Sequence, residues 1–148
     1  MYGAGFDPHD VRANLPRFVE WQMTAPRASY GLPWHEHVAD WWDRPRVGHV
    51  SYERLLEDPV PELLQAMETM TGSADETLAD LATRRWEFAL ASGRKAGTED
   101  RGNFLRKGVA GDWRTHFCRE AGEVFDTFAG AALVELGYAE DRSWWREL

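Results

Sequence analysis

Leu105-Arg106-Lys107-Gly108-Val109-Ala110-Gly111-Asp112-Trp113 sets two adjacent cations against a glycine, then a second glycine ahead of an acid and an indole. Helical periodicity is absent here. The wider span from Gly93 to about Trp113 also holds Gly97 and Gly102, and reads as a long irregular segment. Residues 94–119 carry seven cations (Arg94, Lys95, Arg101, Arg106, Lys107, Arg114, Arg119) against Glu99, Asp100 and Asp112, a net +4 in a chain whose total is −8. Positive, glycine-rich, irregular backbone in an acidic protein suits an anionic ligand. Glycine lets backbone N–H groups approach phosphate oxygens, while Arg and Lys supply charge and directed donors. A solvated loop whose cations balance neighbouring acids has the same composition, so charge alone leaves both readings open.

Outward from this segment the pattern is mostly helical. Asp7-Pro8 opens a helix as N-cap and first-turn proline, with Val11, Leu15, Phe18 and Gln22 at helical spacing to about Met23; Pro26 and Ser29-Tyr30-Gly31 break it. Pro33 starts a second helix, with Trp34, Val38, Trp41 and Trp42 on one face, ending before Pro45. Val47 to Tyr52 is the one strand candidate. Ser51–Leu56 then turns helical, and Asp58-Pro59 interrupts it. Val60, Leu63, Leu64, Met67 and Met70 form an apolar stripe closed by Gly72. Ser73 with Glu76 is a capping box for a helix over roughly 74–91, and Arg119–Leu136 forms the last helix, stopped by Gly137. A lone strand has no ladder partner: either it pairs with something outside this chain or the segment is not a strand. The first, favoured here, points to part of a larger α/β domain.

The 148 residues hold eight tryptophans, and fifteen of the seventeen cations are Arg, a ratio that codon bias explains as well as anion binding does. No apolar run is long enough to span a membrane, and Met1–Asp10 lacks the basic and apolar regions of a signal peptide. Cys118, alone, can form neither an internal disulfide nor a Cys-based zinc site, and reads as a small buried hydrophobe. His35 and His37, two apart on a helix, point to different faces, which argues against a metal pair. The acidic balance argues against non-specific nucleic-acid binding.

The Arg106-Lys107-Gly108…Gly111-Asp112-Trp113 stretch resembles the signature of the cytosolic-type sulfotransferases, which use 3′-phosphoadenosine 5′-phosphosulfate (PAPS). Val50–Pro59 resembles that family's strand-to-helix Tyr-Glu-Asp-Leu…Asp-Pro segment. Trp34-His35-Glu36-His37-Val38 with Trp41-Trp42 resembles its upstream aromatic helix, and Phe125 with Leu136-Gly137-Tyr138 its terminal helix. The resemblance implies the P-loop-like three-layer α/β sulfotransferase fold, of which residues 1–148 are the C-terminal portion, mainly α-helical with one short strand. It also implies that Arg106, Lys107 and Gly108 bind the 3′-phosphate, that Tyr52 contacts the adenine and that Trp86 stacks on it. Arg84-Arg85 replace the Thr-Ser that precedes the stacking residue in the family. Asp112 and Trp113 are structural in this reading. Arg114 and Glu123 fit the family's dimerisation motif, Lys-x-x-x-Thr-Val-x-x-x-Glu, whereas Cys118 and Arg119 do not.

The family's phosphosulfate loop with its catalytic lysine, its catalytic histidine and its second 3′-phosphate pair correspond to positions before Met1. The sequence contains no Gly-x-x-x-x-Gly-Lys. The expectation is a cytoplasmic PAPS-dependent transferase of small-molecule hydroxyls or amines, using no metal, no membrane and no nucleic acid. On this reading the chain carries part of the nucleotide site, assigns no catalytic residue, and is inactive without a missing N-terminal half. A homo-oligomer is the other partner expected. The alternative function is a non-catalytic helical interaction module derived from such an enzyme, binding another chain through an exposed core face.

Overall fold

The computed structural model describes residues 7, 9–25 and 31–148. Pro8, Pro26 and Ser29-Tyr30, used above as a helix start and as breaks, lie outside them. Seven α-helices occur among the described residues: α1 Val11–Thr24, α2 Trp34–Trp41, α3 Tyr52–Glu57, α4 Pro59–Thr71, α5 Glu76–Trp86, α6 Phe88–Ser92 and α7 Arg119–Glu135. Short 3-10 helices cover Asp112–Thr115 and Trp144–Glu147. None of the helices is long and apolar enough to cross a membrane. The chain divides into two compact units, Met1–Trp41 with Asp112–Leu148, and Trp42–Gly111.

Val47–Tyr52 is not a strand. Residues 47–50 take no regular structure, and α3 already begins at Tyr52 with Ser51 as its N-cap. β-Branched residues favour extended backbone, but a ladder needs a second strand, and the described residues contain none. The segment lies instead against α4. Gly48 comes so close to Ala66 that a Cβ there would stand 3.1 Å from the Ala66 Cβ.

In the first unit, α1 and α2 pack on α7, as does the Trp144–Glu147 turn. Val19, Met23 and Ala129 are its buried centre, with Leu15, Phe117, Val124, Phe125 and Phe128 around them. Burying a side chain such as Val19 or Met23 contributes about 2 kcal/mol. Trp113, Phe117, Phe125 and Trp144 meet edge to face at centroid separations of 5.5–6.4 Å, the arrangement favoured by ring quadrupoles. Asp10, rather than Asp7, caps α1: its carboxylate accepts from Ala13 N–H at 2.9 Å, while Asp7 is turned onto the His9 N–H.

Pro16 lies inside α1 and has no N–H to return to the Arg12 carbonyl. The Cys118 thiol takes that place, 3.7 Å from the Arg12 oxygen. Cys118 is therefore more than a small apolar filler. It precedes α7 and satisfies a carbonyl of α1 that the proline has freed.

In the second unit, α4 packs against both α3 and α5. Buried Glu62 accepts the Ser51 N–H at 2.7 Å and faces the Arg54 guanidinium at 3.5 Å, tying the start of α3 to α4. Gly72 ends α4 as expected. The expected helix over 74–91 is two helices, because Glu87 leaves the helical region (φ −51°, ψ 130°). Nor does Ser73 cap α5. Its hydroxyl lies 3.4 Å from that of Thr71, and Asp75, next to the first turn, accepts the Leu78 N–H at 3.0 Å.

Candidate functional site

Gly93 ends α6, and residues 94–111 form the irregular, positive segment. Its two limbs are pinned by backbone hydrogen bonds: Gly97 N–H donates to the Lys107 carbonyl at 2.8 Å, and Asp100 N–H to that of Arg106 at 2.9 Å. Arg94 completes the clamp. Its guanidinium donates to the carbonyls of Thr98 (2.7 Å), Arg106 (3.0 Å) and Leu105, and sits 5.5 Å from the Phe88 ring centroid. A delocalised five-donor fork suits this task in a way a lysine ammonium does not.

This clamp holds the carbonyls of Arg106 and Lys107, two of the three residues that the family resemblance assigns to phosphate, and Gly108 follows them directly. Arg106, Lys107 and Gly108 are all half-buried. Gly108 has φ +67°, and a Cβ there would fall 2.6 Å from Phe88 Cγ. Left-handed backbone beside an aromatic ring requires glycine on both conformational and steric grounds. The Arg106 guanidinium grips the Glu99 carboxylate, whose other oxygen lies 3.5 Å from Arg101. The hydrogen bond from Arg106, first among several causes, holds the Glu99 carboxyl below the usual carboxylate range. The pair is complete above the ordinary carboxylate value and is lost only as pH falls through the lowered one. The Arg106 guanidinium thus already donates, through Nη1, to an oxyanion, the kind of acceptor a phosphate also presents.

The adenine-side residues are placed differently. Tyr52 is the first residue of α3 and is 51% exposed; Trp86 is the last of α5 and is 71% exposed. Both belong to the same unit as residues 106–108. Among the described residues, neither side chain makes a hydrogen bond or ring contact, so each presents an open aromatic face. Arg84, in the expected Thr-Ser position, pairs with Asp80 at 2.9 Å on the surface of α5. Trp113 is structural, packed edge-on against Phe117 and Trp144, and Arg114 lies over the Trp113 ring at 4.6 Å.

In the sequence, Arg94 and Glu99 stand out only as charges. Their roles as loop clamp and guanidinium partner were hidden because they act seven to twelve residues away, across backbone with no period. The one available signal for Arg94 was its place directly after Ser92-Gly93, a helix stop. Among the described residues no group of His, Cys, Asp or Glu side chains could hold a metal ion.

A family model described as a sulfotransferase domain matches residues 4–137. Sulfotransferase 1E1 of Cavia porcellus is 30% identical over 131 residues, covering 80% of this chain and 44% of the relative. Sulfotransferase 1A1 of Mus musculus is 31% identical over 133 residues, covering 81% and 44%. Sulfotransferase 1E1 of Homo sapiens is 29% identical, with 80% and 44% covered. The chain thus spans less than half the length of these curated relatives. No solved structure matches it.

Proposed function

The chain belongs to the sulfotransferase family, whose fold is α/β, and from that premise we propose that it is the C-terminal portion of one sulfotransferase domain. In this reading it serves transfer of a sulfuryl group from PAPS to a hydroxyl or amine of a small molecule. Its own contribution is the 3′-phosphate and adenine side of the nucleotide site. The observation that carries the proposal is the clamped Arg106-Lys107 backbone leading into Gly108 at φ +67°, with Arg106 already gripping an oxyanion. Two cations and a backbone N–H would meet one phosphate dianion there, and the exposed rings of Tyr52 and Trp86 would take the flat base.

PAPS supplies the sulfuryl group. None of these residues needs to touch the sulfur. Binding energy from the remote 3′-phosphate serves to hold the donor in line for attack. In this reading none of the described residues is assigned activation of the acceptor or stabilisation of the leaving phosphate, so the chain by itself is expected to turn over no substrate. The acceptor is a small molecule, and the enzyme is cytoplasmic and metal-independent.

The test is an NMR titration of the chain with adenosine 3′,5′-bisphosphate. Weak binding is expected, with a Kd on the order of 1 mM, and with amide shifts concentrated at residues 106–108 and in the indole of Trp86. Arg106→Ala should weaken it about tenfold, the worth of one charge-assisted hydrogen bond. Shifts elsewhere, an unaltered Arg106→Ala titration, or sulfate transfer by the chain alone would overturn the proposal. The exposure of Leu78, Leu81, Trp86 and Leu90 in the second unit favours a second reading, a non-catalytic helical module. That reading predicts tight self-association or partner capture without nucleotide binding.

A further inference from the structure

We propose that Glu99 is a built-in counter-anion of the nucleotide site: its carboxylate holds Arg106 in the absence of ligand and is displaced by the 3′-phosphate. This rests on the assignment of Arg106 to that phosphate.

The geometry is specific to Glu99. The Asp100 N–H to Arg106 carbonyl bond and the Gly97 N–H to Lys107 carbonyl bond set residues 97–100 alongside 106–107. Arg94 fixes both limbs at once, through the Thr98 carbonyl on one and the Arg106 carbonyl on the other. Glu99 is thereby held next to the Arg106 side chain by main-chain bonds and does not depend on chance rotamers of a free loop. Asp100, its neighbour, is turned away: its carboxylate accepts the Gly102 N–H at 3.0 Å. The Glu99 and Arg106 side chains are 31% and 39% exposed, so the pair is partly shielded from water.

Carboxylate and phosphate both match the planar donor pair of a guanidinium. The contact to Glu99 runs from Arg106 Nη1 to Oε1, and a phosphate that takes this donor displaces the carboxylate. A dianionic phosphate outcompetes a single carboxylate, but binding then includes the loss of the internal pair. Arg101, 3.5 Å from the other Glu99 oxygen, is positioned to keep the released carboxylate. Glu99 therefore lowers affinity for a 3′-phosphorylated nucleotide and leaves the response to a nucleotide without that group unchanged.

The experiment compares the full chain with Glu99→Gln and Asp100→Asn, titrated with adenosine 3′,5′-bisphosphate and with adenosine 5′-monophosphate. Glu99→Gln should tighten the bisphosphate about threefold to fivefold, the range of a partly exposed ion pair, and leave the monophosphate unaltered. Asp100→Asn removes the same charge one residue away and keeps its turn oxygen, so it should change neither. Unchanged or weaker bisphosphate binding in Glu99→Gln overturns the proposal. So does an equal gain for both nucleotides, or an equal gain in Asp100→Asn, since either would mark a general field effect. If wild type and both variants fail to bind the bisphosphate, the phosphate assignment of Arg106 fails and takes this proposal with it.

Discussion

Asp126→Ala is expected to destabilise the unit formed by Met1–Trp41 and Asp112–Leu148 by about 3 kcal/mol. Asp126 is buried on α7 and accepts two side-chain donors: the Trp144 indole N–H at 3.0 Å on one oxygen and Arg142 Nε at 2.8 Å on the other. Arg142 also donates to the Asp126 carbonyl at 2.6 Å, and the carboxylate raises the guanidinium pKa mainly through their hydrogen bond. The short C-terminal turn packs on α7 through these contacts and the ring pair of Phe125 and Trp144. Removal of the carboxylate leaves the indole N–H without its acceptor and the Arg142 guanidinium with only the main-chain carbonyl of residue 126. Urea unfolding should show the loss in midpoint, and the Trp144 indole resonance should lose its hydrogen-exchange protection. Asp126→Asn, which keeps one acceptor oxygen, should recover about half of the lost stability. An unchanged midpoint in Asp126→Ala would contradict this account of how the C-terminus is held.

Gly108→Ala should remove nucleotide binding and destabilise the 94–111 segment by about 2–3 kcal/mol. Part of that is the left-handed backbone, which costs an L-residue roughly 1–2 kcal/mol. The rest is steric, because the added carbon would lie 2.6 Å from Cγ and 2.7 Å from Cε2 of Phe88. Phe88 cannot move away cheaply, since its ring also faces the Arg94 guanidinium that clamps the loop. The substitution thus propagates to Arg94 and to the carbonyls it holds. The readouts are loss of bisphosphate-induced shifts and faster amide exchange at Gly97 and Asp100, whose N–H groups bridge the limbs. Phe88→Ala combined with Gly108→Ala should regain part of the stability by opening the space. No gain in the double variant would show that backbone conformation alone sets the effect.

The helices were largely legible in the sequence because apolar spacing and stop residues agree locally. Gly72 and Gly137 fall where the stripes of α4 and α7 run out. Three features misled. Val47–Tyr52 has strand composition, but composition cannot supply the neighbour a ladder requires, and the segment settles on α4. Ser73-x-x-Glu76 has the letters of a capping box, yet Asp75 sits nearer the first turn and takes the role. Nothing in the periodicity of residues 74–91 marks the break at Glu87 that separates α5 from α6. Of the site, the cations and glycines stood out as a charge inversion within an acidic chain. The partners that organise them, Arg94 and Glu99, act through contacts between the two limbs of a loop, where no repeat betrays distance in space.

The proline inside α1 has a consequence for how the protein opens. Since Pro16 leaves the Arg12 carbonyl to the Cys118 thiol, the sole sulfhydryl of the chain lies between α1 and α7 at 7% exposure. A thiol reagent reaches it only when the two helices part. Its modification rate therefore reports the opening equilibrium of that unit, undiluted by any second reactive site. Labelling should run at least ~100-fold slower than for a free cysteine in the native chain, and should accelerate in Asp126→Ala if the C-terminal turn shares the same opening event. One sulfur atom thus acts as an intrinsic timer for the separation of α1 from α7.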